Sequence, residues 1–339
     1  MRAVRVHEYG SPEVLKVEEV PVPEPGPGQV LIAVEAVSVG FAQTQMRRNE
    51  FPAPMWRPSF PIVLGGDVVG EVAALGAGVS GVRIGDRVGA FTLHGAYAEY
   101  AAVDAETLLP VPAALDAAQA TALPAPGPIA MGTMGTAGLR EGESVLVHAG
   151  SGGIGHLAVQ LARLAGAGQV IATAGSAAKC AYIASLGADA VVDYSRADWP
   201  DAVRAATGGR GVDVILDSVG GSVLRQGLGL LAPFGRLVFY GSAGGGRDIP
   251  GISPMELIGM RFLTGFALSA WRSARPERYR ADHDDLARWL LDGTVRQTVH
   301  ATLPLEEVAK AHEIIEDRAQ IGRIVLLTGR APRVPGEPA

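Results

Sequence analysis

From Ser144 onward the chain runs from a short apolar, β-branched stretch into the glycine-dense turn His148-Ala149-Gly150-Ser151-Gly152-Gly153-Ile154-Gly155, and then into an amphipathic stretch, 156–165, with helical spacing. This order constrains the fold more than any other feature. Gly150, Gly152 and Gly155 fit the spacing G-x-G-x-x-G in the strand–turn–helix context that gives the spacing meaning. A turn without side chains lets a phosphate pair approach the backbone. The start of the following helix offers N–H groups without intrahelical partners and a partial positive charge. The pattern predicts a dinucleotide held by Gly150, Ser151, Gly152, Gly153, Ile154 and Gly155.

The next strand-like run, 169–174, says which dinucleotide. NAD-selective sites carry Asp or Glu at its end, about 20 residues past the turn, to hold the ribose 2′-OH. Here the end reads Gly175-Ser176-Ala177-Ala178-Lys179, and the first carboxylate is Asp189. A small, hydroxylated, basic end suits a 2′-phosphate, with Ser176 as hydrogen-bond donor and Lys179 as counter-charge. Tyr194, where a third strand should end, is placed to close over the same phosphate. The expectation is NADPH rather than NADH. The plainer alternative makes Lys179 a solvated helix residue and Tyr194 a packing residue. Two later strand ends carry small or hydroxylated residues that leave room for the ribose and nicotinamide: Ser218 after 212–216, and Tyr240, Gly241 and Ser242 after 235–240. The run 244–246 reads as ordinary turn chemistry.

These strands belong to a rhythm. Strands are predicted at 144–149, 169–174, 190–193, 212–216 and 235–240, with helices at 154–166, 176–186, 198–206 and 221–231 between them. Such alternation predicts a doubly wound parallel sheet, the Rossmann arrangement. Residues 1–120 differ, with short apolar alternations cut by Pro and Gly turns, and predict a β-rich, barrel-like domain. Helices at 281–292 and 304–316 and a strand at 323–327 follow. The expected organisation of this α/β chain is a β-rich domain over 1–123, the dinucleotide domain over 124–265, and a return to the first domain over 266–339.

Composition narrows the function. The net charge of −6 carries no basic block, which argues against a nucleic-acid surface. No apolar run is long enough to cross a bilayer, and the strand-like start at 2–6 has no leader pattern. The expectation is a cytoplasmic, soluble protein. The only cysteine, Cys180, excludes an intrachain disulfide and a Cys-rich structural zinc lobe. It is expected to be a buried small residue. Residues 330–339 are Pro-rich and polar and are expected to be disordered.

Further stretches, in order, carry a family resemblance: Gly10-Ser11-Pro12-Glu13-Val14-Leu15, Pro25-Gly26-Pro27-Gly28-Gln29-Val30-Leu31, Gly70-Glu71-Val72, Gly85-Asp86-Arg87-Val88, Gly95-Ala96-Tyr97-Ala98-Glu99-Tyr100, Asp217-Ser218-Val219-Gly220 and Gly322-Arg323-Ile324-Val325-Leu326. Together with the glycine turn, they make the chain similar to the zinc-independent medium-chain dehydrogenases/reductases, specifically the NADPH:quinone oxidoreductases (zeta-crystallin-like). The resemblance implies a GroES-like first domain, NADPH contacts at Lys179 and Tyr194, and a homodimer formed through the Rossmann sheets with 262–266 as edge strand. Zinc-containing relatives place a Cys near position 40 and a His-Glu pair where this chain has Gly66-Asp67, so no metal is expected.

Against the family pattern the substrate half departs. Gly40 stands where an Asn is usual, Gln43 replaces an acid, Phe51 lacks an aromatic hydroxyl, and 127–130 loses a threonine. Hydride transfer to a quinone or enone develops charge on oxygen, which needs a donor. The weak candidates are Gln43, Gln45, His94 and a backbone N–H, and His94 reads first as a surface loop histidine. Phe41, Phe51 and Phe266, with Trp56, Phe91 and Trp271, are candidates for an apolar wall, although any one of them suits a core as well. Three functions stay open: NADPH-dependent reduction of a quinone, reduction of an activated C=C bond in an enone or polyketide-like substrate, and an NADPH-binding protein with little catalysis in a structural, sensing or RNA-binding role.

Overall fold

The computed structural model describes residues 1–51, 56, 58–244 and 251–329; the expected disordered tail 330–339 lies outside them. The described chain divides into two compact units, 1–125 with 287–292 and 298–329, and 126–286 with 293–297. The first unit begins with β1 (Arg2–Val6), β2 (Leu15–Glu19), β3 (Gln29–Val39), α1 (Phe41–Arg47), β4 (Ile62–Leu75), β5 (Arg87–His94), β6 (Tyr100–Asp104), β7 (Leu109–Pro110) and α2 (Ala117–Ala120). The second contains α3 (Pro126–Ala137), β8 (Ser144–Val147), α4 (Gly155–Leu164), β9 (Gln169–Ala174), α5 (Ala177–Ser185), β10 (Ala190–Asp193), α6 (Trp199–Ala206), β11 (Val212–Asp217), α7 (Gly221–Leu228), β12 (Leu231–Phe239), β13 (Phe262–Gly265) and α8 (Leu268–Ala274). Helix α9 (Pro276–Asp292) contributes to both, and β14 (Val299–Pro304), α10 (Val308–Glu316) and β15 (Arg323–Leu327) return to the first.

Among the described residues the first unit carries a nine-stranded sheet whose main path is β14-β15-β3-β4-β1-β2, with β5 and β6 branching from β4 and β3. Strand β3 is buried along most of its length, as its near-continuous apolar run requires. Its Val30, Ile32, Val34 and Val37 form one core with Val68 and Val72 of β4, Ala311 and Ile315 of α10, and Ile324 and Leu326 of β15. A fully buried Val or Ile contributes about 1.5–3 kcal/mol, so the returning C-terminal segment is integral to this core. Beneath it lies a buried polar seam: Ser38 Oγ donates to Asp67 Oδ2 at 2.7 Å, and Arg323 pairs with the same carboxylate.

The second unit is built on a six-stranded parallel sheet ordered β10-β9-β8-β11-β12-β13. Numbered within the unit, this is the order 3-2-1-4-5-6 of doubly wound dinucleotide-binding sheets, with the reversal between β8 and β11. The predicted rhythm of strands and helices is present, and β13 is the edge strand. Helix α3 was not legible in advance. Gly127, Pro128, Gly132 and Gly135 dilute its pattern, and it is buried around most of its circumference. A Cβ on Gly132 would meet the Phe266 ring at 2.7 Å, and one on Gly135 would meet Trp271 at 2.8 Å. Those aromatics fasten the segment after 265 to the second unit, which runs through Leu286. Cys180 corrects its expectation: it is half-buried on α5, not a core residue.

Candidate cofactor site

The glycine turn follows β8, the first strand of the unit's order. Its hydrogen bonds are local: Gly150 N–H donates to the Thr173 carbonyl at 2.8 Å and Gly152 N–H to the Ala149 carbonyl at 2.9 Å. None of Gly150, Gly152 and Gly155 has positive φ; the left-handed residue is Ala149, at φ 51°. The glycines are there for space. A Cβ on Gly155 would stand 2.1 Å from the Ala149 carbonyl oxygen, and one on Gly150 would stand 3.0 Å from the Ala172 side chain. Helix α4 therefore starts directly against the turn, with Ile154 as an N-cap that supplies no side-chain bond. Ser151 is buried, and Gly152, Gly153 and Ile154 are half-buried along the turn. The result is a bare, N–H-rich bend at the carboxyl end of a strand, which fits a pyrophosphate.

The second cluster forms where β9 and β10 end. Ser176 caps α5 by accepting the Lys179 N–H at 3.4 Å, and a hydroxyl that accepts one bond can also donate one. Tyr194 bonds its N–H to the Ala174 carbonyl at 3.0 Å, and its ring lies over Gly175, where a Cβ would meet Cε2 at 3.4 Å. Gly175 and Ser176 are exposed, and Lys179 and Tyr194 half-buried. The structure thus brings together Gly175, Ser176, Lys179 and Tyr194, in a group that fits a 2′-phosphate.

The third cluster joins the ends of β11 and β12. Tyr240 N–H donates to the Asp217 carbonyl at 2.9 Å, Ala243 N–H to Ser218 at 2.9 Å, and Gly244 N–H to Val219 at 2.7 Å. A Cβ on Gly241 would stand 3.1 Å from the Ser218 carbonyl. Burial pushes the Tyr240 hydroxyl above its ordinary range, with the Ser218 side chain pulling the other way, so Tyr240 keeps its proton. Ser218, Tyr240, Gly241 and Ser242 therefore lie in one neighbourhood.

Candidates for the substrate half are placed less informatively. Phe41 and Phe51 pack half-buried on the first unit's core, and Phe266 packs on Trp271 with ring centroids 6.1 Å apart. Gln43 is nearly buried, and its Oε1 accepts the Gly40 N–H at 3.0 Å, so it serves as the capping residue of α1. Gln45 is buried in the same helix, and His94 is exposed at the end of β5. Sequence reasoning missed a buried polar set at the strand ends, Thr173, His148 and Asp217. Its signal was only the coincidence of three polar residues at homologous positions of three apolar strands.

Residues 26–113 match the alcohol dehydrogenase GroES-like domain, and residues 153–286 match the zinc-binding dehydrogenase family. With the sheet order above, they define the fold as that of the medium-chain dehydrogenases/reductases. The chain is 36% identical over 332 residues to quinone oxidoreductase of Rattus norvegicus, covering 96% of this chain and 98% of that one. It is also 36% identical over 334 residues to 2-haloacrylate reductase of a Burkholderia species, with the same coverage. Among solved structures, Escherichia coli quinone oxidoreductase complexed with NADPH matches with a TM-score of 0.88 at 29% identity, covering 96% of this chain and 100% of that one. A mycobacterial protein complexed with NADPH matches with a TM-score of 0.88 at 32% identity and the same coverage. This chain belongs to the quinone oxidoreductase family of oxidoreductases. Although one matching family is named for zinc, Gly66 here offers no ligand atom, and no group of three His, Cys, Asp or Glu side chains that could hold a metal ion occurs among the described residues.

Proposed function

We propose that this chain is an NADPH-dependent oxidoreductase that passes hydride to a quinone. What supports the reading most is the strand-end cradle, bare at Gly150–Gly155 and basic at Lys179, in a chain that aligns end to end with quinone oxidoreductases. When bound, NADPH supplies the hydride; the protein supplies position and exclusion of water. The 150–155 backbone holds the pyrophosphate. Ser176 and Lys179 hold the 2′-phosphate by charge-assisted bonds, and Tyr194 covers it. Ser218, Tyr240, Gly241 and Ser242 hold the ribose and nicotinamide end, while Phe266 of the same unit offers apolar surface to a flat acceptor. The acceptor gains one hydride from the cofactor and one proton, giving hydroquinone and oxidised cofactor. The test is loss of nicotinamide absorbance with purified protein, a quinone and either nucleotide. Faster oxidation of NADPH than of NADH is expected; absence of both binding and turnover overturns the reading.

The kinship with a 2-haloacrylate reductase supports a second reading, reduction of a polarised C=C bond. The same assay with an enone separates the two, and tight NADPH binding without turnover of either acceptor leaves a binding role. We further propose a homodimer formed across the outer edge of β13, and the cytoplasm as the compartment. Phe262 on that edge is 53% exposed, and Phe234, Ile258 and Met260 expose apolar surface beside it. Among the described residues no helix is long and apolar enough to cross a membrane.

A further inference from the structure

Three adjacent strands of the second unit end in polar side chains on one face. The register pairs Val147 with Ala172 and with Leu216, so the next residues along, Thr173, His148 and Asp217, stand side by side across β9, β8 and β11. Neighbouring strands lie about 4.8 Å apart, which makes these side chains direct neighbours. Two residues earlier on the same face, Ile171, Leu146 and Ile215 are apolar and pack with Val203 of α6 and Leu224 and Leu228 of α7. The switch from an apolar row to a polar one falls at the layer next to the glycine turn.

All three polar residues are 0% exposed, a placement that costs free energy unless the groups are bonded. The bonds are specific. His148 Nδ1 lies 3.0 Å from Thr173 Oγ1, and Asp217 Oδ1 accepts the N–H groups of Val219 at 2.6 Å and Gly220 at 3.0 Å. The direction of the His148–Thr173 bond follows the imidazole tautomer. His148 Nε2 and Asp217 Oδ2 are the buried polar atoms left over in the row. Trp199 stands edge-on to the imidazole, with centroids 5.4 Å apart. Burial holds His148 below its ordinary pKa, against the pull of the Asp217 carboxylate.

Each member of the row ends in a turn of the cradle. His148 leads into Ala149 and Gly150, and the Thr173 carbonyl takes the Gly150 N–H at 2.8 Å. Asp217 fixes the turn through Gly220, whose φ of 73° favours glycine and where a Cβ would stand 3.2 Å from the Phe239 ring. We propose that Thr173, His148 and Asp217 are positioning residues for NADPH, a buried crossbar that holds the pyrophosphate turn and the nicotinamide-side turn in one fixed relation without touching the cofactor. The proposal rests on the NADPH reading above.

The test is titration calorimetry of the purified full chain with NADPH, paired with thermal melts. The proteins compared are wild type, Thr173→Val, Asp217→Asn, their double variant and Thr173→Ser. Each of the first two single changes is expected to weaken NADPH about tenfold at temperatures well below its melting point. The double variant is expected to lose less than the product of the singles, because both cut the same row, and Thr173→Ser to recover most of the affinity. Affinities within about twofold of wild type, even with lowered melting points, or losses that multiply independently, overturn the proposal. Should Asp217→Asn fail to fold, Thr173→Val and Thr173→Ser decide by loss and recovery. A wild-type chain that binds no NADPH removes the cofactor reading itself, whereas a wild type and variants that bind alike remove only the crossbar.

Discussion

Selectivity between the two nicotinamide cofactors comes down to a few side chains. In the proposed site Lys179 beside Ser176 would supply a charge-assisted contact, and hydrogen bonds to charged groups contribute about 1.5–3 kcal/mol. Lys179→Ala should therefore weaken NADPH at least roughly tenfold while NADH affinity stays nearly unchanged, as read by calorimetry with both nucleotides. Equal weakening of the two would remove the 2′-phosphate assignment. In the first unit, His312 is fully buried with its Nε2 3.3 Å from the Tyr97 hydroxyl. Burial, with Arg47 nearby, pushes its pKa down from 6.5 to about 3. An unfolded chain then binds a proton that the folded chain refuses, so stability is full above about 6.5 and falls as pH drops toward 3. The slope from this one group reaches about 1.4 kcal/mol per pH unit, and His312→Gln should flatten an acid denaturation series by that amount. Lys179 could be proposed from sequence because an absent acid and an added base are local facts. His148 and Asp217 were not, because their partnership depends on strand register, which no local pattern reports.

At the scale of elements, the returning strand β15 is both paired and pinned. It runs antiparallel to β3, and its Arg323 meets the buried Asp67 carboxylate, whose pKa burial raises although Arg323 opposes the rise. Arg323→Leu leaves that carboxylate buried without its counter-charge, which costs about 3–5 kcal/mol and should appear as a large drop in denaturant midpoint. The expected disruption of the β13 edge is separate: Leu263→Pro removes a backbone donor from an edge strand, and sedimentation should show monomer if a second copy pairs there. Most strands and helices of the second unit were legible because their periods are regular. Helix α3 was hidden by its prolines and glycines, which tertiary packing against Phe266 and Trp271 overrides. In the first unit the short helices α1 and α2 gave no period long enough to read.

For the molecule as a whole, the texture of the sequence changes near Pro124, whereas nothing local marks a boundary after 265. The segment after 265 is kept in the second unit by aromatic packing rather than by any linker signal. Activity should survive prolonged dialysis against a chelator, since the position where zinc-containing relatives have histidine is Gly66; an activity lost there and restored by zinc would reverse that view. One detail of the nucleotide bend reaches further. Its torsional burden rests on Ala149, while the three glycines serve only to keep volume out. Ala149→Gly should therefore be well tolerated, and alanine at 155 should not. A designer who transplanted the bend by preserving its glycines alone, and let the preceding residue drift to valine or isoleucine, would lose the curve one position before the motif begins.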